Sequence, residues 1–144
     1  MWRQHLPFLL HALVETPAAL SFILVPQRQL PGATPEAELL LASYGGALLA
    51  TVGVCAVFLL RDAAAVDDGT ARAVGLALAV YHLFPIRRAV RRIGDGRAAG
   101  RPAAATLGGP WVHLVLHAAC FASLLGLGLA APAASSAAGD RRLR

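Results

Sequence analysis

Two ionisable side chains, His11 and Glu15, stand four residues apart in the apolar run LLHALVETPAAL, residues 9–20. Four residues is about one helical turn, so in a helix both project from one face and make a polar patch on an oily segment. Histidine recurs in two later apolar runs, as His82 in YHLFPI and as His113 and His117 in WVHLVLH. A carboxyl and imidazoles shielded from water are the group types that acid–base chemistry uses. Glu15, His117 and His82 are therefore the expected catalytic residues, with His11, Tyr44, Tyr81, His113, Arg87 and Arg88 as expected substrate-binding residues.

The elements that must position these groups follow from hydropathy. The chain has 144 residues, 57% of them hydrophobic, and a mean hydropathy of +0.60, too apolar for an ordinary soluble domain. Of its eight acidic residues only Glu15 lies inside an apolar run, and none of the thirteen arginines does. A spanning helix needs about 20 apolar residues, and helices built on four apolar runs are expected at about 6–25, 38–60, 71–93 and 110–131, the third around a shorter apolar core, Ala73 to Ile86, that flanking Arg72 and Arg87 can extend by snorkelling. The expectation is an all-α four-transmembrane-helix bundle over 1–131, with a basic interfacial extension after helix 3 and a disordered tail over 132–144. Pro17 frees the carbonyl of Leu13 and should kink the first span just beyond Glu15. Thr34 before Pro35 is a cap-then-proline start for the second. Ala42, Gly46, Ala50 and Gly53 put small residues along one side of that helix, where a neighbouring or partner helix could approach closely. Cys55 and Cys120 read as small core residues at depths too different for a disulfide.

Depth along each span is about 1.5 Å per residue. On that scale Glu15 lies within about 2 Å of the midplane, with His82 and His117 roughly 4 to 5 Å from it on the same side. A carboxylate at such a depth costs about 2.5 to 3.5 kcal/mol unless it finds a partner or a wet cavity, so a hydrogen bond from Glu15 to His82 or His117 is expected. Locking the helices together is the alternative reading of the same contacts. A metal or haem is the lesser alternative. His113 and His117 share the i, i+4 chelating spacing and could join Glu15, but the glutamate of an HExxH motif is missing; His82 and His117 could also face each other across a haem.

Net charge is +5 and every basic residue is arginine. The arginines sit in loops and at helix ends without interleaved aromatics, so the expected partner is the bilayer with its anionic headgroups, at the Arg87 to Arg92 stripe, and not nucleic acid. That stripe, Arg87, Arg88, Arg91 and Arg92, opposes Ala89, Val90 and Ile93 as in an amphipathic interfacial helix. Four spans put loops 1 and 3 on one side with seven arginines against six. Closeness to span ends makes that side cytosolic, in an endomembrane.

The stretches ETPAALSFIL, YHLFPIRR and GGPWVHLVLH resemble small multi-pass proteins of filamentous fungi. That resemblance implies a membrane architecture and no reaction. In broad outline the buried acid and histidines also look like those of the sterol-isomerase type of membrane fold, in which such groups handle protons on a lipid-soluble small molecule. A non-enzymatic accessory or structural subunit is the other functional class compatible with these residues.

Overall fold

The computed structural model describes residues 2–61, 68–95 and 108–130. Arg97, Arg101 and the tail 132–144 lie outside the described residues. Five helices follow in order: α1 Trp2–Leu24, α2 Pro26–Gln29, α3 Pro35–Leu60, α4 Asp68–Gly94 and α5 Gly109–Leu129. The architecture is all-α, and α1, α3, α4 and α5 are long and apolar enough to cross a membrane.

Local sequence explains the ends. Pro26 closes α1 and opens the short α2 at its first turn, where a proline loses no helical hydrogen bond. Thr34 caps α3, its Oγ1 accepting from Ala37 N at 3.3 Å. Gly108 and Gly109 hold positive φ angles of 97° and 82°, the left-handed region that glycine enters without steric cost, and Pro110 follows in the first turn of α5. Both α1 and α4 continue through internal prolines, Pro17 and Pro85. Beside Pro17, Thr16 Oγ1 donates to Ala12 O at 2.6 Å.

The bundle is made of two tightly packed pairs, α1 with α3 and α4 with α5, joined chiefly where α1 meets α5. One core cluster gathers Phe8, Cys55, Leu78, Ala79 and Leu124, and a second Ala19, Phe22 and Leu48. Phe8 stacks on Phe58 with ring centroids 4.5 Å apart. Both cysteines are free and buried. The outward surface is oily, with Leu13, Val80, Phe84 and Val115 all more than half exposed, while His11, Glu15, His82 and His117 are buried. Polar inside and apolar outside is the reverse of a water-soluble bundle.

The small-residue face of α3 is not the one that meets α1. Gly46, Ala50 and Gly53 point outward, and a Cβ on Gly46 or Gly53 would meet nothing within 4 Å. The close approach to α1 runs instead through Gly45, where a Cβ would stand 2.8 Å from Ala19 O and 2.9 Å from Phe22 Cβ. A rotation of one residue, about 100°, separates the two faces. On α4, Ala89 is buried and Val90 is exposed.

Candidate functional site

The buried polar residues come from three helices: His11 and Glu15 from α1, His82 from α4 and His117 from α5. His11 and Glu15 share a face of α1 as their spacing dictates, and that face is turned inward at the joint between the helix pairs, where both side chains are completely buried.

A single chain of hydrogen bonds threads the imidazoles, and its direction can be worked out from one end. Thr51 Oγ1 donates to Leu48 O at 2.7 Å, so it accepts from His11 Nε2–H at 2.9 Å. In a neutral imidazole the other nitrogen is then an acceptor, and His11 Nδ1 takes the proton of His82 Nε2 at 3.0 Å. By the same logic His82 Nδ1 carries a lone pair, which faces His117 Nδ1 at 3.0 Å.

Glu15 closes the cluster. Its Oε2 accepts from Tyr81 OH at 3.0 Å, and Tyr44 OH stands 3.4 Å behind Tyr81 OH. Its Oε1 lies 3.3 Å from His117 Nδ1 and 3.7 Å from His82 Nδ1. Yet Oε1 is the buried side-chain polar atom left without a hydrogen bond among the described residues. An unsatisfied buried acceptor costs about 1 to 3 kcal/mol, more when charged. Such an atom in a native site is accounted for by a water, a proton, an ion or a ligand.

A cavity of about 50 Å³ adjoins the cluster, its wall formed in part by Glu15, Tyr44, Tyr81, His113 and His117, and by Arg88 and Arg92. By volume it holds about three or four waters. It lies toward the end of the bundle where α1 and α4 finish and α3 and α5 begin. His113 borders it half-buried, with Nδ1–H donating to its own turn at Gly109 O, 2.8 Å away, and its ring stacked 6.0 Å from that of His117.

The structure thus brings together Glu15, His82, His117, His11 and Tyr81, with Tyr44 and His113 at the cavity wall. Arg88 borders the cavity and Arg87 does not, being on an outer patch with Phe84 and Arg91; Arg92, one turn beyond Arg88, lines it instead. His11 belongs to the buried relay rather than to the cavity lining. Thr51, which orients that relay, was not singled out from the sequence; a threonine in an apolar helix gives no signal that separates a hydrogen-bonding role from packing. The facing nitrogens of His82 and His117 stand 3.0 Å apart.

No protein-family model matches the chain, and neither a curated protein nor a solved structure shows significant similarity to it.

Proposed function

We propose that this is an integral membrane protein whose Glu15–His82–His117 cluster binds a lipid-soluble molecule and performs acid–base chemistry on it. The observation that carries the reading is the unsatisfied Glu15 Oε1 beside His117 at the wall of a cavity that also reaches Arg88. The cavity of about 50 Å³ takes only the reacting end of such a molecule, whose apolar body lies against the oily outer surface, while an anionic headgroup is drawn toward Arg88 and Arg92, worth about 1 kcal/mol for each arginine near a membrane surface. At the cluster, Glu15 Oε1 accepts a proton from the bound molecule, a protonated His117 delivers one to a second position on it, and the proton on Glu15 then passes across the 3.3 Å contact to His117, so that both groups return to their starting states. His82 and His11 can pass a proton along the relay, since each ring nitrogen already faces the next acceptor. Isomerisation, cyclisation and hydrolysis all fit this pair of group types.

The test is the lipid profile of the host carrying Glu15→Gln, His117→Ala or Arg88→Ala in place of the natural residue. Loss of one lipid species or accumulation of its precursor in Glu15→Gln and His117→Ala, with a weaker effect in Arg88→Ala, supports the reading. Unchanged lipids with full accumulation of the protein contradict it. The arginine-rich end faces the cytosol of an endomembrane in this proposal, which accessibility of a tag placed in loop 1 checks. A second reading, an accessory subunit, is favoured by the outward Gly46 and Gly53 of α3 and requires a fixed partner on co-purification.

A further inference from the structure

We infer that Glu15 Oε1, His82 Nδ1 and His117 Nδ1 form a binding site for a divalent first-row transition-metal ion of the zinc type. The three atoms make a triangle with edges of 3.0, 3.3 and 3.7 Å. A point exists about 2.0 Å from all three, close to the 2.0 to 2.2 Å that zinc keeps from imidazole nitrogen and carboxylate oxygen. The mean edge also agrees with the roughly 3.3 Å between neighbouring ligands of a tetrahedral zinc. The three ligand atoms already stand at these separations without any shift of the helices.

Two features independent of that triangle point the same way. Glu15 Oε1 is wholly buried and has no hydrogen bond, so an ion would satisfy the one polar atom the protein leaves bare there. The surrounding shell is also arranged as metal ligands need. A ligating histidine donates its other ring N–H to a fixed acceptor, which sets its tautomer. His82 Nε2–H does so to His11 Nδ1, backed by Thr51 and the Leu48 carbonyl, and the far carboxylate oxygen of Glu15 is held by Tyr81 OH. The relay therefore fixes the lone pair of His82 Nδ1 toward the triangle. For His117 to ligate, its proton moves from Nδ1 to Nε2, and the ion replaces the hydrogen bond from His117 Nδ1–H to His82 Nδ1.

His11, Glu15 and His82 also bring one potential ligand atom each within 4.8 Å of the others. His11 is nonetheless the poorer third ligand, because its Nδ1 already takes the His82 proton at 3.0 Å; it is the orienting residue. Three protein ligands leave a fourth position, the pattern of a catalytic rather than a structural zinc site. A dication with one carboxylate keeps a net positive charge in apolar surroundings, so that position favours water-derived hydroxide or an anionic group entering from the adjoining cavity. The inference goes beyond the proposed chemistry, since an ion can be held there whether or not a reaction follows.

The test uses full-length, tag-free protein in detergent, stripped with chelator, then exposed to limiting Zn2+ or Co2+ and desalted. One ion per chain by mass spectrometry is expected, with the visible absorption of four-coordinate Co2+. Glu15→Gln and His117→Ala should each lower the affinity by at least about 100-fold, and Tyr81→Phe, which keeps its shape, by about 10-fold. His5→Ala should still bind one ion. Wild-type protein that binds none, or Glu15→Gln and His117→Ala variants that are helical and monodisperse yet bind like wild type, overturns the site. If either of those variants fails to fold, Tyr81→Phe decides: unchanged affinity overturns the site as well. A changed lipid profile without bound metal would leave the proposed function standing and remove the metal, and the reverse result would do the opposite.

Discussion

Adjacent glycines on α3 give a sharp test of how that helix is turned. At Gly45 an added Cβ would meet Ala19 O and Ile23 Cγ1 at 2.8 Å and Phe22 Cβ at 2.9 Å. Real Cβ atoms do not come so close, and one of these neighbours is backbone, so α1 and α3 must move apart. Overpacking of this kind costs about 1 to 3 kcal/mol. At Gly46 the added methyl meets nothing within 4 Å, and replacing a mid-helix glycine there should be neutral or stabilising by up to about 1 kcal/mol. Gly45→Ala should thus lower the unfolding midpoint in mild detergent by about 2 to 12 °C, at roughly 2 to 4 °C per kcal/mol for a chain of this size. Gly46→Ala should leave it unchanged or raise it. Thermal unfolding followed by circular dichroism, with helicity at low temperature as the folding control, reads both. Equal effects, or a larger loss at Gly46, would refute the assignment of Gly45 to the seam and of Gly46 to the outer face.

Tyr81→Phe removes the hydroxyl that holds the buried carboxylate of Glu15; a hydrogen bond to a charged group contributes about 1.5 to 3 kcal/mol, so the same unfolding assay should show a loss of that order. Tyr44→Phe removes a longer bond from a side chain 41% exposed, and should cost less than about 0.5 kcal/mol. Cys55 and Cys120 are both 0% exposed, so in the folded protein neither should react with an alkylating reagent on the timescale that labels both after denaturation, as mass spectrometry of the intact chain would record.

Much of the helix layout was readable because it depends on quantities a sequence carries directly. Runs of apolar residues give length, and Thr34–Pro35 announces where α3 starts. The site was readable in part for the same reason: the i, i+4 spacing of His11 and Glu15 fixes a shared face, and depth along a span needs only the rise per residue. Rotation about the helix axis was harder. Small residues lie on more than one side of α3, so the stripe through Gly46 and Gly53 competed with the true seam at Gly45. The same ambiguity exchanged Arg87 for Arg92 at the cavity, since residues five apart differ by about 140° around the helix. Thr51 and the order of the imidazole relay were beyond reach, because they depend on which nitrogen meets which partner across α1, α3, α4 and α5.

The account stands on a carboxyl of α1 joined to imidazoles of α4 and α5 inside the bundle, and a double-mutant cycle between Glu15→Gln and His117→Ala measures that contact most directly. Unfolding free energies of the two single variants and the double variant, taken in chelator so that no ion contributes, should reveal a coupling of at least about 1 kcal/mol. Effects that add to within about 0.3 kcal/mol would mean that the two side chains do not touch.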